Sequence, residues 1–292
     1  MNARWAASMS VGAGIVVLAL KWVAYRITGS VALYSDALES IINVVAAAVA
    51  LLAIRISARP PDADHPYGHT KAEYFSAVLE GTLIALAAIA IVHAAWVRLL
   101  APTPLARLDV GLAVSVGASL INALVAAMLV RVGKRVRSPA LRADGLHLWT
   151  DVATSAGVFV GTALAGLTKL WIIDPLLAML VAANIVRVGV GLVRDSVGGL
   201  MDEAVPAAEA DRIRGLVVTS MAGALEVHAF KTRRAGTSTF VEFHLIVPGS
   251  MSVKAAHEIC DRIEDTVETG VPGAHVTIHV EPEGKSLGAP HE

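Results

Sequence analysis

The chain of 292 residues is 55% hydrophobic and only 17% charged, and its mean hydropathy is +0.63. Soluble domains carry about 25% charged and about 45–50% apolar residues, so this composition excludes a disordered chain and disfavours an ordinary soluble enzyme. The net charge of −1 provides no basic field for nucleic acid, and the single cysteine, Cys260, excludes an intrachain disulfide.

Six apolar segments fill the first two thirds of the chain, and no cleavable signal peptide pattern precedes them. Each has about the 20 residues that a helix needs to cross the hydrocarbon core of a bilayer. The segments are Trp5–Tyr25, Val31–Ile54, Phe75–Leu100, Val110–Val132, Ala143–Leu167 and Trp171–Val193. We therefore expect residues 1–204 to form a membrane α-helical domain of six transmembrane helices.

Lysine and arginine are unequally divided between the two sides of this domain. Eight lie in the loops after the second and fourth segments: Arg55, Arg59, Lys71, Arg131, Lys134, Arg135, Arg137 and Arg142. Four lie in the other loops: Arg26, Arg98, Arg107 and Lys169. The positive-inside rule then places both chain termini in the cytoplasm, as expected of a multi-pass protein of a bacterial-type inner (plasma) membrane.

The second and fifth segments carry polar side chains at a helical spacing. Glu39 and Asn43 are four residues apart, as are His147 and Asp151, so each pair lies on one face of its helix. Two facing helices would supply four ligands, enough for a tetrahedral divalent ion, and protons would compete with the metal for the carboxylates. The alternative is a polar cluster that only joins the two helices. Asp36, one turn earlier, is interpreted as a helix-entry residue or as a further ligand.

A proline-rich loop between the second and third segments contains Asp62, Asp64, His65 and His69. Its prolines and Gly68 prevent a continuous helix, so these side chains lie close together in a compact loop. Two imidazoles and a carboxylate at such short spacing are typical of a small cation site. The alternative is a loop whose histidines only form caps and hydrogen bonds.

Residues 205–283 have the pattern of a small α+β domain with an α-β-β-α-β order, typical of a ferredoxin-like lobe, followed by a flexible tail at 284–292. A helix begins at Pro206, and a second, amphipathic helix spans Ser252–Thr269. The expected strands are Leu225–Thr232, Thr239–Val247 and His275–Glu281, the first two joined by a turn over Arg233–Ser238. One sheet face should pack on the two helices, and pairing with a second copy would bury more surface.

Histidines recur in this domain at His228, His244, His257 and His279, with Glu281 two residues beyond the last. Side chains two apart project from the same face of a strand, so His279 and Glu281 should point together. Four imidazoles and one carboxylate could hold one or two ions such as Zn²⁺. The alternative is a scatter of surface histidines, and His275 is interpreted as a surface residue at the start of a strand.

Three segments together resemble the cation diffusion facilitator family: SVALYSDALESIIN (Ser30–Asn43), DHPYGHTKAE (Asp64–Glu73) and ADGLHLWTD (Ala143–Asp151). The resemblance covers nearly the whole chain. It implies a homodimer that exports metal in exchange for protons, with a transport site at Glu39, Asn43, His147 and Asp151. It further implies a second metal site at Asp62, His65 and His69, and a regulatory binuclear site at His228, His244, His257, His279 and Glu281. It also implies a charge interlock between Lys71 and Asp202, for which a weak surface salt bridge is the alternative.

The chain departs from the family pattern in its second segment. The usual pair there is Asp or His followed four residues later by Asp, whereas this chain has Glu39 and Asn43. Asn43 removes a negative charge and cannot bind a proton. The oxygen-rich set favours Mn²⁺ or Fe²⁺ more than an imidazole-rich site would, while His147 and two carboxylates still suit Zn²⁺.

These patterns predict a divalent transition-metal efflux transporter that exchanges Zn²⁺, Fe²⁺ or Mn²⁺ for protons by alternating access, and no enzymatic activity. Asn43 keeps open the alternative of a metal-sensing membrane scaffold without transport. A membrane metallohydrolase is disfavoured because the sequence contains no HExxH motif and no nucleophile–base constellation.

Overall fold

The computed structural model describes residues 2–28, 31–100, 109–168 and 172–284. The chain divides into two compact units, Met1–Val197 and Gly198–Glu292. This division falls inside the last turn of a long helix, a few residues before the expected boundary between 204 and 205. Trp171, Arg107, Lys169 and residues 285–292 of the expected tail lie outside the described residues, as do the side chains of Asp36 and Glu39.

Long helices build the first unit. They are α1 (Ala3–Thr28), α2 (Val31–Ser57), α3 (Ala72–Leu100), α4 (Asp109–Val136), α5 (Pro139–Thr168) and α6 (Ile173–Leu200). Within the described residues, five stretches are long and apolar enough to cross a membrane: Ala3–Arg26, Ser40–Ser57, Ala72–Val97, Val116–Val136 and Pro175–Leu200. The helix α5, which carries Asp144, His147 and Asp151, supplies none of these five stretches. The chain therefore has a helical membrane domain with several apolar helices.

The short turn between α4 and α5 explains why α5 begins at Pro139, earlier than expected. Arg137 adopts a left-handed conformation (φ 56°), and the Ser138 hydroxyl accepts a hydrogen bond from the Leu141 amide at 3.3 Å. A serine cap followed by proline in the first helical position is a strong helix start. The cationic end of α4 and the charged start of α5 thus form one continuous helical hairpin.

Glycines allow the closest approaches between helices of this unit. A Cβ atom on Gly81 of α3 would lie 2.8 Å from Val193 Cγ2 and 3.1 Å from the Gly189 carbonyl oxygen, both on α6. A Cβ atom on Gly145 of α5 would lie 2.8 Å from Val130 Cγ2 on α4. Small residues at such crossings let helix backbones pack directly, which is the usual means of association between helices in a bilayer.

The second unit has the expected order of helix, two strands, helix and strand. Its elements are α7 (Ala207–Ser220), β1 (Glu226–Ala235), β2 (Ser238–Val247), α8 (Val253–Gly270) and β3 (Ala274–Pro282). The sheet order is β1-β2-β3, with β1 antiparallel and β3 parallel to β2. Strand β1 extends further than expected because Gly236 (φ 57°) and Thr237 form a two-residue turn, which leaves Ala235 paired with Ser238.

The core of this unit lies between one sheet face and the two helices. Alternate residues of β2, Val241, Phe243 and Leu245, are buried against α7 and α8, whose buried side chains include Ile213 and Ile263. Cys260 also lies in this core, as a small buried thiol. The remaining positions of β2, His244 among them, point to the opposite sheet face.

Candidate metal centres

The first candidate site joins α2 and α5 inside the membrane domain. The Asn43 side chain donates a hydrogen bond through Nδ2 to Asp151 Oδ2 at 2.5 Å, and its Oδ1 accepts one from His147 Nε2 at 2.9 Å. Three of the four expected transport-site residues are therefore brought together. The fourth, Glu39, has a side chain outside the described part of the chain.

The hydrogen bonds define the chemical state of this cluster. An amide oxygen only accepts, so His147 must carry its proton on Nε2 when it contacts Asn43. A metal ligand needs a bare imidazole nitrogen and a free carboxylate oxygen. A cation at this point would replace both hydrogen bonds of the Asn43 amide, and the Nε2 proton of His147 would have to leave or move to the other ring nitrogen.

A few polar residues lie near this cluster. A small cavity beside Asn43 is lined by Ser10, Ser40 and Asn122 together with apolar residues such as Val17 and Leu148. Thr150 and Thr154 satisfy their hydroxyls on backbone carbonyls of their own helix. The cavity thus has a few polar side chains from α1, α2 and α4 in a mostly apolar lining.

The second candidate site lies in the loop between α2 and α3. Asp62 Oδ1 accepts a hydrogen bond from the His65 amide at 2.7 Å and lies 3.2 Å from His65 Nδ1, and Asp62 Oδ2 lies 3.3 Å from His69 Nε2. The two imidazole rings are 4.4 Å apart. One ligand atom from each of these three residues lies within 4.8 Å of the others. Gly68 (φ 83°) supplies the left-handed turn that brings His69 back to Asp62.

The electrostatics of this loop favour an ionised carboxylate. The backbone N–H of His65 holds the pKa of Asp62 below its usual value, with smaller contributions from the His65 side chain and from the field of His69. Hydrogen bonds to the charged form stabilise it. Asp62 therefore presents a negative charge to any cation that enters between the two histidines.

The third candidate site lies on the sheet face of the second unit that points away from its helices. Strand pairing places His228 opposite His244, and His244 opposite His279, so the three imidazoles form a row across the sheet. Buried Glu281 reaches this row from β3. Its Oε2 lies 3.4 Å from His228 Nε2, and its Oε1 lies 3.5 Å from both His244 Nδ1 and His279 Nε2. One ligand atom from each of His228, His244 and Glu281 lies within 4.8 Å of the others, and His279 joins this group through its contact with Glu281.

A β-bulge shapes this third site. The register of β1 shifts between His228 and Lys231, and Ala229 within the bulge is held at φ 51°. Bulges re-aim side chains, and a left-handed conformation at a residue other than glycine stores strain. Glu226, two residues before His228, lies 4.0 Å from His228 Nδ1, the ring nitrogen that faces away from Glu281.

The other expected site residues lie elsewhere. His257 is 73% exposed on α8 and contacts Asp261, one turn along the same helix, at 3.5 Å. Asp202, at φ 61°, accepts a hydrogen bond from Arg233 at 3.1 Å within the second unit. The interlock between Lys71 and Asp202 therefore stays a prediction, as does the role of His257.

Sequence reasoning missed two buried carboxylates on α3. Glu73 accepts hydrogen bonds from the hydroxyls of Ser57, at 2.8 Å, and of Ser138, and so joins three helical segments. Glu80 is fully buried in the middle of the same helix. An ionisable residue inside an apolar span is itself a functional signal, and the same criterion that identified Asp151 would have identified Glu80.

Comparison with known proteins matches both units. Residues 8–201 match the model of the cation efflux transmembrane domain, and residues 205–283 match the model of the cation efflux protein cytoplasmic domain. An uncharacterized transporter of Synechocystis is 43% identical over 285 residues, which is 97% of this chain and 92% of that protein. The cation-efflux pump FieF of Pectobacterium carotovorum is 31% identical over 279 residues, which is 95% of this chain and 92% of the pump. A solved structure of the putative zinc transporter CzrB in its zinc form is 48% identical and covers 30% of this chain and 99% of its own, with a TM-score of 0.29.

Proposed function

Because the chain belongs to the cation diffusion facilitator family of cation efflux transporters, which are not enzymes, we propose that it exports divalent transition-metal cations from the cytoplasm in exchange for protons. The observation that carries this proposal is the convergence of Asn43, His147 and Asp151 from two membrane helices. Glu39, one turn before Asn43 in the sequence, completes the proposed set of four ligands.

The proposed exchange follows from the chemistry of these groups. With a cation bound, the His147 nitrogen and the Asp151 carboxylate are ligands and hold no proton there. When the cation leaves, the neutral imidazole, which keeps its proton on Nδ1, takes up H⁺ on Nε2 from the side of release, and this N–H donates to Asn43 Oδ1. The next cation displaces the Nε2 proton to the cytoplasmic side. Alternating access of the site to the two sides of the membrane then moves protons one way and the cation the other.

The ligand set bears on the choice of cation. Three oxygen donors and one imidazole suit Mn²⁺ and Fe²⁺, and the imidazole with two carboxylates also suits Zn²⁺. We include these three cations as candidate substrates.

We further propose six transmembrane helices in a bacterial-type inner membrane, with both termini in the cytoplasm. The basic ends of α2 and α4, which include Arg55, Lys134 and Arg135, support this orientation. The cytoplasmic domain would form a homodimer through which its metal site regulates transport. The three-histidine row and Glu281 lie on the sheet face that the helices of the same chain leave uncovered, which suits a site used between copies.

Uptake of radioactive Zn²⁺ and Mn²⁺ into everted membrane vesicles tests the transport site. His147→Gln should reduce uptake at least about tenfold because it removes the nitrogen ligand of the proposed site. The matched control is His93→Gln, which removes an imidazole that lines an apolar hollow with Trp96 on the outside of α3. Normal uptake by His147→Gln would contradict the assignment of the site.

A further inference from the structure

Glu80 stands apart from the other charged groups of the membrane domain. Its side chain is 0% exposed, and neither carboxylate oxygen has a hydrogen-bond partner among the residues that the structure describes. Glu73, two turns earlier on α3, is almost as buried but has two serine hydroxyls as donors. The two carboxylates on one helix therefore have opposite environments.

The neighbours of Glu80 on α3 and α6 are mostly apolar. Ser76, one turn earlier on α3, is also buried, and its hydroxyl makes no hydrogen bond within the described residues. Ala77 and Ile84, one turn before and one turn after it, are fully buried in a cluster with Ala143 of α5 and Ile185 of α6. The helix α6 meets this turn of α3 with Gly189 and Val193. An ionised carboxylate in such a place loses its hydration and gains no donor in return, so its ionised form is strongly disfavoured.

Asp144 of α5 lies next to Glu80 in the packing, because the preceding residue, Ala143, belongs to the same buried cluster as Ala77 and Ile84. It projects from α5, is 1% exposed, and accepts a hydrogen bond from the Ser10 hydroxyl of α1. Two buried carboxylates on helices that pack together repel each other when both are ionised. The pair therefore requires either a shared proton or a bound cation.

A proton satisfies the pair better than a metal ion does. Glu80 and Asp144 offer two carboxylates and one serine hydroxyl, fewer strong ligands than the four to six that Zn²⁺ or Mn²⁺ takes. A protonated carboxylic acid, in contrast, fits a buried pocket in which no described group donates a hydrogen bond to Glu80, as in enzymes that keep one carboxylic acid neutral at pH 7. We therefore expect the Glu80–Asp144 pair to bind H⁺ in preference to a metal ion.

Asp144 also links this pocket to the proposed transport site. It lies one helical turn before His147 on α5, so the two side chains are neighbours along one helix face. A divalent cation at the transport site would place positive charge near Asp144 and favour an ionised pair. The pocket and the cation site are therefore electrostatically coupled.

We propose that Glu80 is a second, membrane-buried proton site of this transporter, which supplies a counter-ion proton that Asn43 cannot carry. The inference rests on the proposed exchange of cation for protons. When a cation binds from the cytoplasm, the carboxyl O–H bond of the Glu80–Asp144 pair breaks and H⁺ leaves to that side. When the cation is released on the other side, a proton from that side restores the O–H bond.

Proton release on metal binding tests this proposal directly. The full chain, purified in detergent, is titrated with Zn²⁺ in buffers that differ in ionisation enthalpy, at about pH 7, which gives the number of protons released per cation. Glu80→Gln keeps the shape of a neutral acid but cannot ionise, so proton release should fall by up to about one per cation. The Zn²⁺ binding constant rises with pH because protons are displaced. For each proton that the variant no longer releases, the factor of increase per pH unit should be about ten times smaller than in the wild type. Glu80→Asp should restore most of the release, and Glu73→Gln, the matched buried control, should leave it unchanged.

The possible failures are distinguishable. If wild-type vesicles take up cation without any dependence on a proton gradient, the proposed exchange fails and the role of Glu80 fails with it. If uptake by the wild type depends on the gradient but Glu80→Gln releases as many protons as the wild type, only the role of Glu80 is overturned. A bound cation that elemental analysis finds in the wild type and not in Glu80→Gln would show that the pair holds metal, which also overturns the proposal.

Discussion

Replacing Asn43 by aspartate changes the proton chemistry of the proposed transport site in a calculable way. Asn43 Nδ2 lies 2.5 Å from Asp151 Oδ2, so Asn43→Asp would place a carboxylate oxygen where an N–H now donates. At an effective dielectric constant of about 20, two unit charges at that distance of 2.5 Å repel by about 7 kcal/mol. Repulsion of this size far exceeds thermal energy, so the pair would hold a shared proton at neutral pH in the absence of a cation.

A cation that binds to the Asn43→Asp site must displace that shared proton. The logarithm of the binding constant should then rise with pH by one unit more per pH unit than in the wild type, an extra factor of about ten. Calorimetric titration of the purified chain with Zn²⁺ and with Mn²⁺ between about pH 6 and pH 8 measures this slope. The additional negative charge should also change the preference between the two cations.

The control is Asn184→Asp, which introduces the same charge on α6 at an exposed asparagine that accepts a hydrogen bond from Arg187. It should leave the slope unchanged. If Asn43→Asp gave the wild-type slope, its side chain would not face Asp151 at the cation site, and the reasoning from this hydrogen bond would be refuted. An unchanged preference between Zn²⁺ and Mn²⁺ would show that Asn43 does not determine selectivity.

Three further substitutions test other parts of the structure. His244→Ala removes the central imidazole of the row on the sheet and should weaken Zn²⁺ binding by the cytoplasmic domain at least about tenfold in calorimetry. The control His275→Ala should not weaken it, and equal losses in the two variants would contradict the site. Ala229→Gly relieves the strain of a left-handed backbone (φ 51°) and should raise the free energy of unfolding of that domain by up to about 1 kcal/mol. Chemical denaturation measures this change, and a decrease would show that the bulge is not strained. Gly81→Ala puts a Cβ atom 2.8 Å from Val193 and should destabilise the membrane domain by about 1–3 kcal/mol in thermal unfolding. The control Gly12→Ala, whose new Cβ atom would have nothing within 4 Å, should be neutral. An unaffected Gly81→Ala would refute the close crossing of α3 and α6.

Much of the fold could be predicted because it depends on local periodicity. Apolar length predicted the long helices of the membrane domain, and alternation predicted the strands around His244 and His279. The i, i+4 spacing of His147 and Asp151 was enough to place both on one helix face, and the structure brings Asn43 to the same point. Helix ends were less predictable, since the start of α5 depends on the cap at Ser138.

Features that depend on tertiary contact could not be derived from spacing. The bulge at Ala229 is set by the pairing of β1 with β2, and nothing in the local sequence requires it. The hydrogen bond from Arg233 to Asp202 likewise arises from the fold of the second unit, while the interlock of Asp202 with Lys71 stays a prediction. The burial of Glu80 depends on how α5 and α6 pack on α3, which sequence periodicity does not reveal.

The measurement that tests the central claim most directly is cation uptake into everted vesicles, in which the cytoplasmic side of the protein faces outward. With an acidic lumen, the wild type should accumulate Zn²⁺, Fe²⁺ or Mn²⁺ while the lumen becomes more alkaline, and a protonophore should abolish both changes. Binding of the cation to the purified chain without any uptake under the gradient would contradict exchange transport and would support a metal-sensing membrane scaffold instead.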